Sequence, residues 1–122
     1  MENFRQFIYD KCVGFSVRVV RLAHYLQTEK NEYVLSKQIV RSGTSIGANL
    51  AEAQYGTSKR DFLAKCYIAL KECAETCYRL EILVKTEYIS QIEYQSLYDG
   101  CNELKKLFIS ITKTTKESLE IK

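Results

Sequence analysis

The chain has no proline and only five glycines in 122 residues. Proline is the usual breaker of element interiors, so its absence leaves little to interrupt long helices. Histidine is almost missing as well, His24 being the only one. General acid–base work would fall to that residue or to a carboxylate with a displaced pKa. No acidic side chain stands at helical spacing on the face of His24. Nucleophile-plus-base arrangements, paired carboxylates and phosphate-binding loops are also lacking. The stretch GTSIG is loop-like in composition alone, because no strand precedes it and no lysine follows. An enzyme is not expected, nor a cofactor.

Long apolar runs are missing too. No window approaches the roughly 20 apolar residues that a spanning helix needs. The opening MENFRQFIYDKC is charged and unlike a signal peptide. The chain therefore reads as cytoplasmic, with no membrane partner. Five cysteines make an odd number with no disulfide framework, so reduced thiols are expected. Cys66, Cys73 and Cys77 share one helical face, with Cys12 and Cys101 on core stripes of their own helices. Thiolate clusters suit soft metals, but no Cys-x-x-Cys pair exists and no histidine is near. Buried cysteine acting as a small hydrophobe is the favoured reading, and no metal is expected.

What is present fits one globular domain over residues 1–122, with 46% hydrophobic and 27% charged residues. Apolar positions Phe4, Ile8, Cys12, Phe15, Val19, Leu22 and Leu26 step by fours and threes, the period of a core-facing helix. Three further stripes follow. They are Leu35, Ile39, Gly43, Ile46, Leu50, Ala53; then Phe62, Cys66, Ala69, Cys73, Cys77, Leu80, Val84; then Tyr94, Leu97, Tyr98, Cys101, Leu104, Phe108, Ile111, Thr115. Gly56 is placed as a helix C-cap, while Ser58 with Asp61 and Ser90 with Glu93 have capping-box spacing. The pattern predicts helices over about 3–27, 33–55, 58–86 and 91–116, with fraying beyond Lys116. Similar lengths and short polar connections predict an all-α, antiparallel up-down-up-down four-helix bundle.

Two features exceed what such a bundle needs. Tyr9, Val13, Val17, Val20 and His24 form a second apolar band on the first helix, about four turns long. One core covers one face, so this band predicts an oligomer interface with another copy of the chain. On the second helix Gly43, Gly47 and Ala51 recur every four residues and, with Val40, make a shallow groove for close packing. Each interior glycine costs roughly 0.5–1 kcal/mol relative to alanine, a cost that tight packing can recover. Beside them a polar row of Arg41, Ser45, Asn49 and Glu52 is read as structural, with Arg41 pairing a carboxylate across an interface.

The net charge is +3, and residues 1–61 carry nine Lys/Arg against six Asp/Glu. Arg18, Arg21, Lys37, Arg41, Lys59 and Arg60 are the candidate contacts to nucleic acid or another partner.

In SGTSIGAN-x-x-EA, SK-x-DF and IALKE-x-x-ET-x-Y-x-L the chain resembles a bacterial four-helix-bundle family. Its members were first noticed as reading frames within intervening sequences of 23S ribosomal RNA genes. The matching positions are Arg41, Ser42, Gly43, Ser45, Ile46, Asn49, Glu52, Asp61, Phe62, Ala69, Leu70, Glu72, Glu75 and Leu80. Leu50-Ala51 replaces an Ile-Glu common in relatives, and Cys73-Ala74 an Ala-Arg, which removes two charges from any shared network. Relatives are similar to the accessory variability protein of diversity-generating retroelements. That resemblance implies a homopentameric ring, RNA or DNA binding, and a reverse transcriptase as a partner. Two functions are thereby expected as alternatives: a nucleic-acid-binding or ribonucleoprotein accessory factor, and a protein–protein scaffold without nucleic-acid contact.

Overall fold

The computed structural model describes residues 2–120, and these form four helices and no strand. They are α1 (Glu2–Glu29), α2 (Leu35–Ala53), α3 (Lys59–Lys85) and α4 (Gln91–Glu120). α1 packs on α2 and α4, and α3 packs on the same two, so the helices follow one another around a square. Gly43 lies against Val19 and Gly47 against Cys12, which sets α1 and α2 antiparallel. Ser42 meets Thr76 while Glu52 meets Lys65, so α2 and α3 also run in opposite directions. Lys11 with Glu103 and Arg18 with Ser96 give the same sense for α1 and α4. The expected up-down-up-down bundle is the observed one.

The helix ends at the α2, α3 and α4 starts and at the α2 and α3 closes have identifiable causes. The first backbone N–H groups of α2 are satisfied by the loop residue Glu32. Its carboxylate accepts from Val34 N at 3.2 Å, Leu35 N at 2.9 Å and Ser36 N at 2.8 Å. Ser90 and Glu93 form a reciprocal capping box, Glu93 N donating to Ser90 Oγ at 3.1 Å and Ser90 N to Glu93 Oε1 at 3.2 Å. At α3 only half of the expected box exists. Asp61 N donates to Ser58 Oγ at 3.1 Å, but the Asp61 carboxylate accepts from Thr57, one residue earlier.

The end of α2 corrects the expectation for Gly56. Gln54 is the C-cap in a right-handed conformation, and no glycine has positive φ. Gly56 is needed for space instead, since a Cβ there would meet Asp61 Cβ at 3.1 Å and Ala53 O at 3.2 Å. The left-handed positions belong to Asn31 and Glu87. Glu87 sits in a Schellman close of α3, in which Tyr88 N donates to Leu83 O at 2.9 Å and Glu87 N to Val84 O at 3.1 Å.

The core runs the length of the bundle through Ile8, Cys12, Val19 and Leu26 of α1, Ile39, Ile46 and Leu50 of α2, Cys66, Cys73 and Leu80 of α3, and Cys101, Leu104 and Phe108 of α4. All four stripes differ in places from the expected ones: on α4 Thr112 is buried and Thr115 only half-buried, and on α2 Ser36 is buried beside a half-buried Leu35. Phe4 is 44% exposed, because α2 stops at Ala53 and leaves the first turn of α1 uncovered. On α3 the buried positions after Cys73 are Thr76, Leu80 and Leu83, with Cys77 and Val84 half-buried. Thr76 turns inward because its hydroxyl is satisfied there. Its Oγ1 lies 2.9 Å from Ser42 Oγ and 2.8 Å from the Glu72 carbonyl, so a buried polar pair replaces two apolar side chains.

The glycines of α2 let α1 come close. A Cβ on Gly47 would stand 2.9 Å from Cys12 Cβ, and one on Gly43 2.9 Å from both methyls of Val19. Gly14 is different: it is exposed and nothing lies within 4 Å of an added Cβ. Gly47→Ala should cost about 1–2 kcal/mol, overpacking outweighing the helix-propensity gain. Gly14→Ala should stabilise the isolated bundle by about 0.5–1 kcal/mol. Urea midpoints of the two variants moving the same way would contradict this reading.

Candidate interaction surfaces

The bundle leaves the second apolar band of α1 open. Val13 is 45%, Val17 43% and Val20 50% exposed. With Tyr9 they form one wall of a groove of about 430 Å³ whose other wall is Thr44, Gly47, Ala48 and Ala51 of α2. Of the small residues expected to form a groove on α2, Gly47 and Ala51 line this one, while Gly43 lies under Val19 of α1. His24 is exposed beyond the groove's end, and its carbonyl accepts from Thr28 Oγ1 at 2.9 Å.

The polar row of α2 faces α3. Arg41 pairs with Glu75 at 3.3 Å, Glu75 also takes Arg79 at 3.0 Å, and Glu52 takes Lys65 at 2.8 Å. Ser45 Oγ donates to Ser42 O at 2.9 Å and Asn49 Nδ2 to Ser45 O at 2.8 Å, so these two serve their own helix. The hydrogen bond and charge of Arg79, with those of Arg41, hold the Glu75 carboxyl below its usual range. One turn before Thr76, Glu72 Oε1 is buried with no hydrogen-bond partner among the described residues. An unmet buried acceptor costs about 1–3 kcal/mol.

The six candidate cations do not form one surface. Arg18, Arg21 and Lys37 lie toward the end where α1 passes into α2. Lys59 and Arg60 open α3 at the opposite end, where Lys59 Nζ donates to Ser118 Oγ at 2.7 Å. Arg41 sits at the α2–α3 seam in its ion pair. Arg18 and Arg21 border a second groove, about 540 Å³, on the α1–α4 seam. Its α4 residues Ile92 and Ser96 were not singled out in the sequence. The spacing of Arg18, Arg21 and Tyr25 on one helical face was the available signal.

Four of the five thiols are core atoms, and Cys77 is half-buried beside them. Burial pushes Cys12 up to about 12 and Cys66 to about 11. Cys77 is raised by its hydrogen bond with Cys101 and by burial, while Cys101 is raised chiefly by its bond with Cys73. Cys101 Sγ also donates to the Cys73 carbonyl at 3.4 Å. Among the described residues no group of three or more His, Cys, Asp and Glu side chains is placed to hold a metal ion.

Comparison with known proteins assigns the chain. A model of the family described as 23S rRNA-intervening sequence protein matches residues 5–110. The chain belongs to that family. A solved structure from Bacteroides thetaiotaomicron, described as a protein with unknown function from the S23 ribosomal protein family, is 49% identical. It superposes with a TM-score of 0.89 over 90% of this chain and 98% of that one. No curated protein matches. In this intervening-sequence family member the motif residue Asp61 takes part in capping, Gly43 in close packing, Ser42, Glu52 and Glu75 in α2–α3 contacts, and Asn49 in a bond within α2.

Two measurements follow from these environments. Iodoacetamide at about pH 8 should modify the native protein slowly and all five cysteines once urea unfolds it, since only thiolates react. Rapid native labelling would show that the core admits reagent. A depressed carboxyl contributes stability above its unfolded-state pKa and loses it as pH falls through the folded value. Glu75→Gln should therefore cost under about 1 kcal/mol at neutral pH, its pairs being exposed and screened. Variant and wild type should converge only in acid well below the ordinary glutamate value of about 4.3, and an unchanged gap there would contradict the role given to Glu75.

Proposed function

We propose that this chain is a non-enzymatic, cytoplasmic assembly module whose copies join into a closed homo-oligomeric ring, a pentamer, that acts as a nucleic-acid-binding or ribonucleoprotein accessory factor. The observation that carries the reading is the groove over Tyr9, Val13, Val17 and Val20, an apolar surface about three turns long that the finished bundle does not cover. Each half-exposed valine stands to gain on the order of 1 kcal/mol by being covered. A ring uses a different patch on each side of every subunit, so the groove of one copy meets another face of the next. The pentamer and the nucleic-acid role rest on the resemblance to the accessory variability protein. Among the described residues no helix is long and apolar enough to cross a membrane. The alternative, a scaffold for a protein such as a reverse transcriptase, draws support from the ion-paired state of Arg41 and Lys65.

Sedimentation at micromolar concentration should show a single closed oligomer. Replacing Val13 and Val20 by Glu should dissociate it to monomers that keep their helical circular dichroism. A wild-type monomer, or an oligomer indifferent to both charges, would sink the assembly reading. Wild-type protein that shifts no RNA or DNA at low salt would leave the scaffold.

A further inference from the structure

The groove on the α1–α4 seam carries charge that the fold does not neutralise. Arg18, Arg21 and Tyr25 follow one another by a turn on α1 and face Ile92, Glu93 and Ser96 of α4. The guanidinium of Arg18 donates to Ser96 Oγ at 2.8 Å and, more weakly, to the Ser96 carbonyl at 3.4 Å. Both acceptors are neutral. They orient the group while leaving its charge, and most of its five donors, unused. Neither Arg18 nor Arg21 forms an ion pair among the described residues; Lys37, Lys59 and Arg60 are unpaired as well, but none of them lines this groove. Glu93 is the one acid in the groove, and its Oε1 is turned back onto Ser90 N and Oγ. Beside the two cations lie the half-buried ring of Tyr25 and the side chain of Ile92, 83% exposed.

We infer that this groove receives single-stranded nucleic acid, Arg18 and Arg21 meeting phosphates while bases lie against Tyr25 and Ile92. The inference rests on the nucleic-acid reading above and gives it a place. Planar guanidiniums match phosphate oxygens in pairs. An aromatic and an aliphatic face beside them suit unstacked bases, which a duplex keeps hidden. An acidic peptide would answer the charges without using those faces.

The test is fluorescence anisotropy of the full chain with a labelled single-stranded RNA, its duplex, and poly-glutamate as competitor, at two salt concentrations. The single strand should bind more tightly than the duplex and resist poly-glutamate. Arg18→Gln with Arg21→Gln should weaken it by roughly tenfold or more and flatten the log–log salt slope by about 1.4. Lys59→Gln with Arg60→Gln, the same charge change at the other end, should leave most of the affinity. Tyr25→Leu keeps an apolar body and should weaken binding by roughly 5- to 100-fold through lost stacking. Circular dichroism melts confirm that each variant is folded, and Arg18→Lys with Arg21→Lys should recover part of the loss. Binding that survives the arginine changes, or falls equally with Lys59 and Arg60, overturns the groove and leaves the nucleic-acid reading standing. No wild-type binding at low salt overturns both. Poly-glutamate competing as well as RNA assigns the groove to an acidic protein instead.

Discussion

The close approach of α1 to α2 is the constraint on which the remaining architecture depends. At Gly43 and Gly47 there is no room for a Cβ, because Val19 and Cys12 occupy the space. A backbone approach of that kind fixes distance and register together, as interdigitating larger side chains would do less sharply. It also fixes which face of α1 turns inward. Once Cys12 and Val19 are committed to α2, Val13, Val17 and Val20 can only point away. The open groove is thus a by-product of the glycine contact and cannot be removed by a small rotation of α1.

Electrostatics are divided between the seams in a similar way. The α2–α3 seam spends its charges internally: Glu75 serves two arginines and Glu52 a lysine, while Ser42 and Thr76 add a buried neutral bond. Exposed ion pairs of this sort contribute little each. Their value lies in register, since a slip of one turn, about 5.4 Å, would part the Arg41–Glu75 and Glu52–Lys65 pairs and the Ser42–Thr76 bond together, leaving only Glu75–Arg79, which lies within α3. In the groove beside Arg18 two arginines face the single carboxylate of Glu93, which is bonded to neutral Ser90, so a net positive charge is left for something outside the chain.

Much of this was legible in the sequence. Stripes at 3.6-residue spacing locate all four helices, and the second band on α1 is visible as surplus apolar surface before any fold is known. The capping pair Ser90 and Glu93 is legible because its partners lie three residues apart. What escaped were interactions set by tertiary position. Glu32 caps α2 from within a polar turn, where composition alone does not distinguish it from its neighbours. Thr76 displaces Cys77 from the core because Ser42 stands opposite it, which only the α2–α3 register reveals. The cations behaved likewise: helical spacing puts Arg18 beside Arg21, but only the topology sends Lys59 and Arg60 to the far end.

The α1–α4 seam has a dynamic consequence. It is the thinnest of the four, and no connecting loop ties it. Local opening begins where few contacts cross, so amide exchange on the α4 side of α1 should report a sub-global fluctuation and not complete unfolding. Whatever seats between Arg18 and Ile92 braces the one seam that covalent structure leaves loose. Occupancy there is coupled to the breathing of the bundle by mass action, so a bound strand would damp the same motion that admits it.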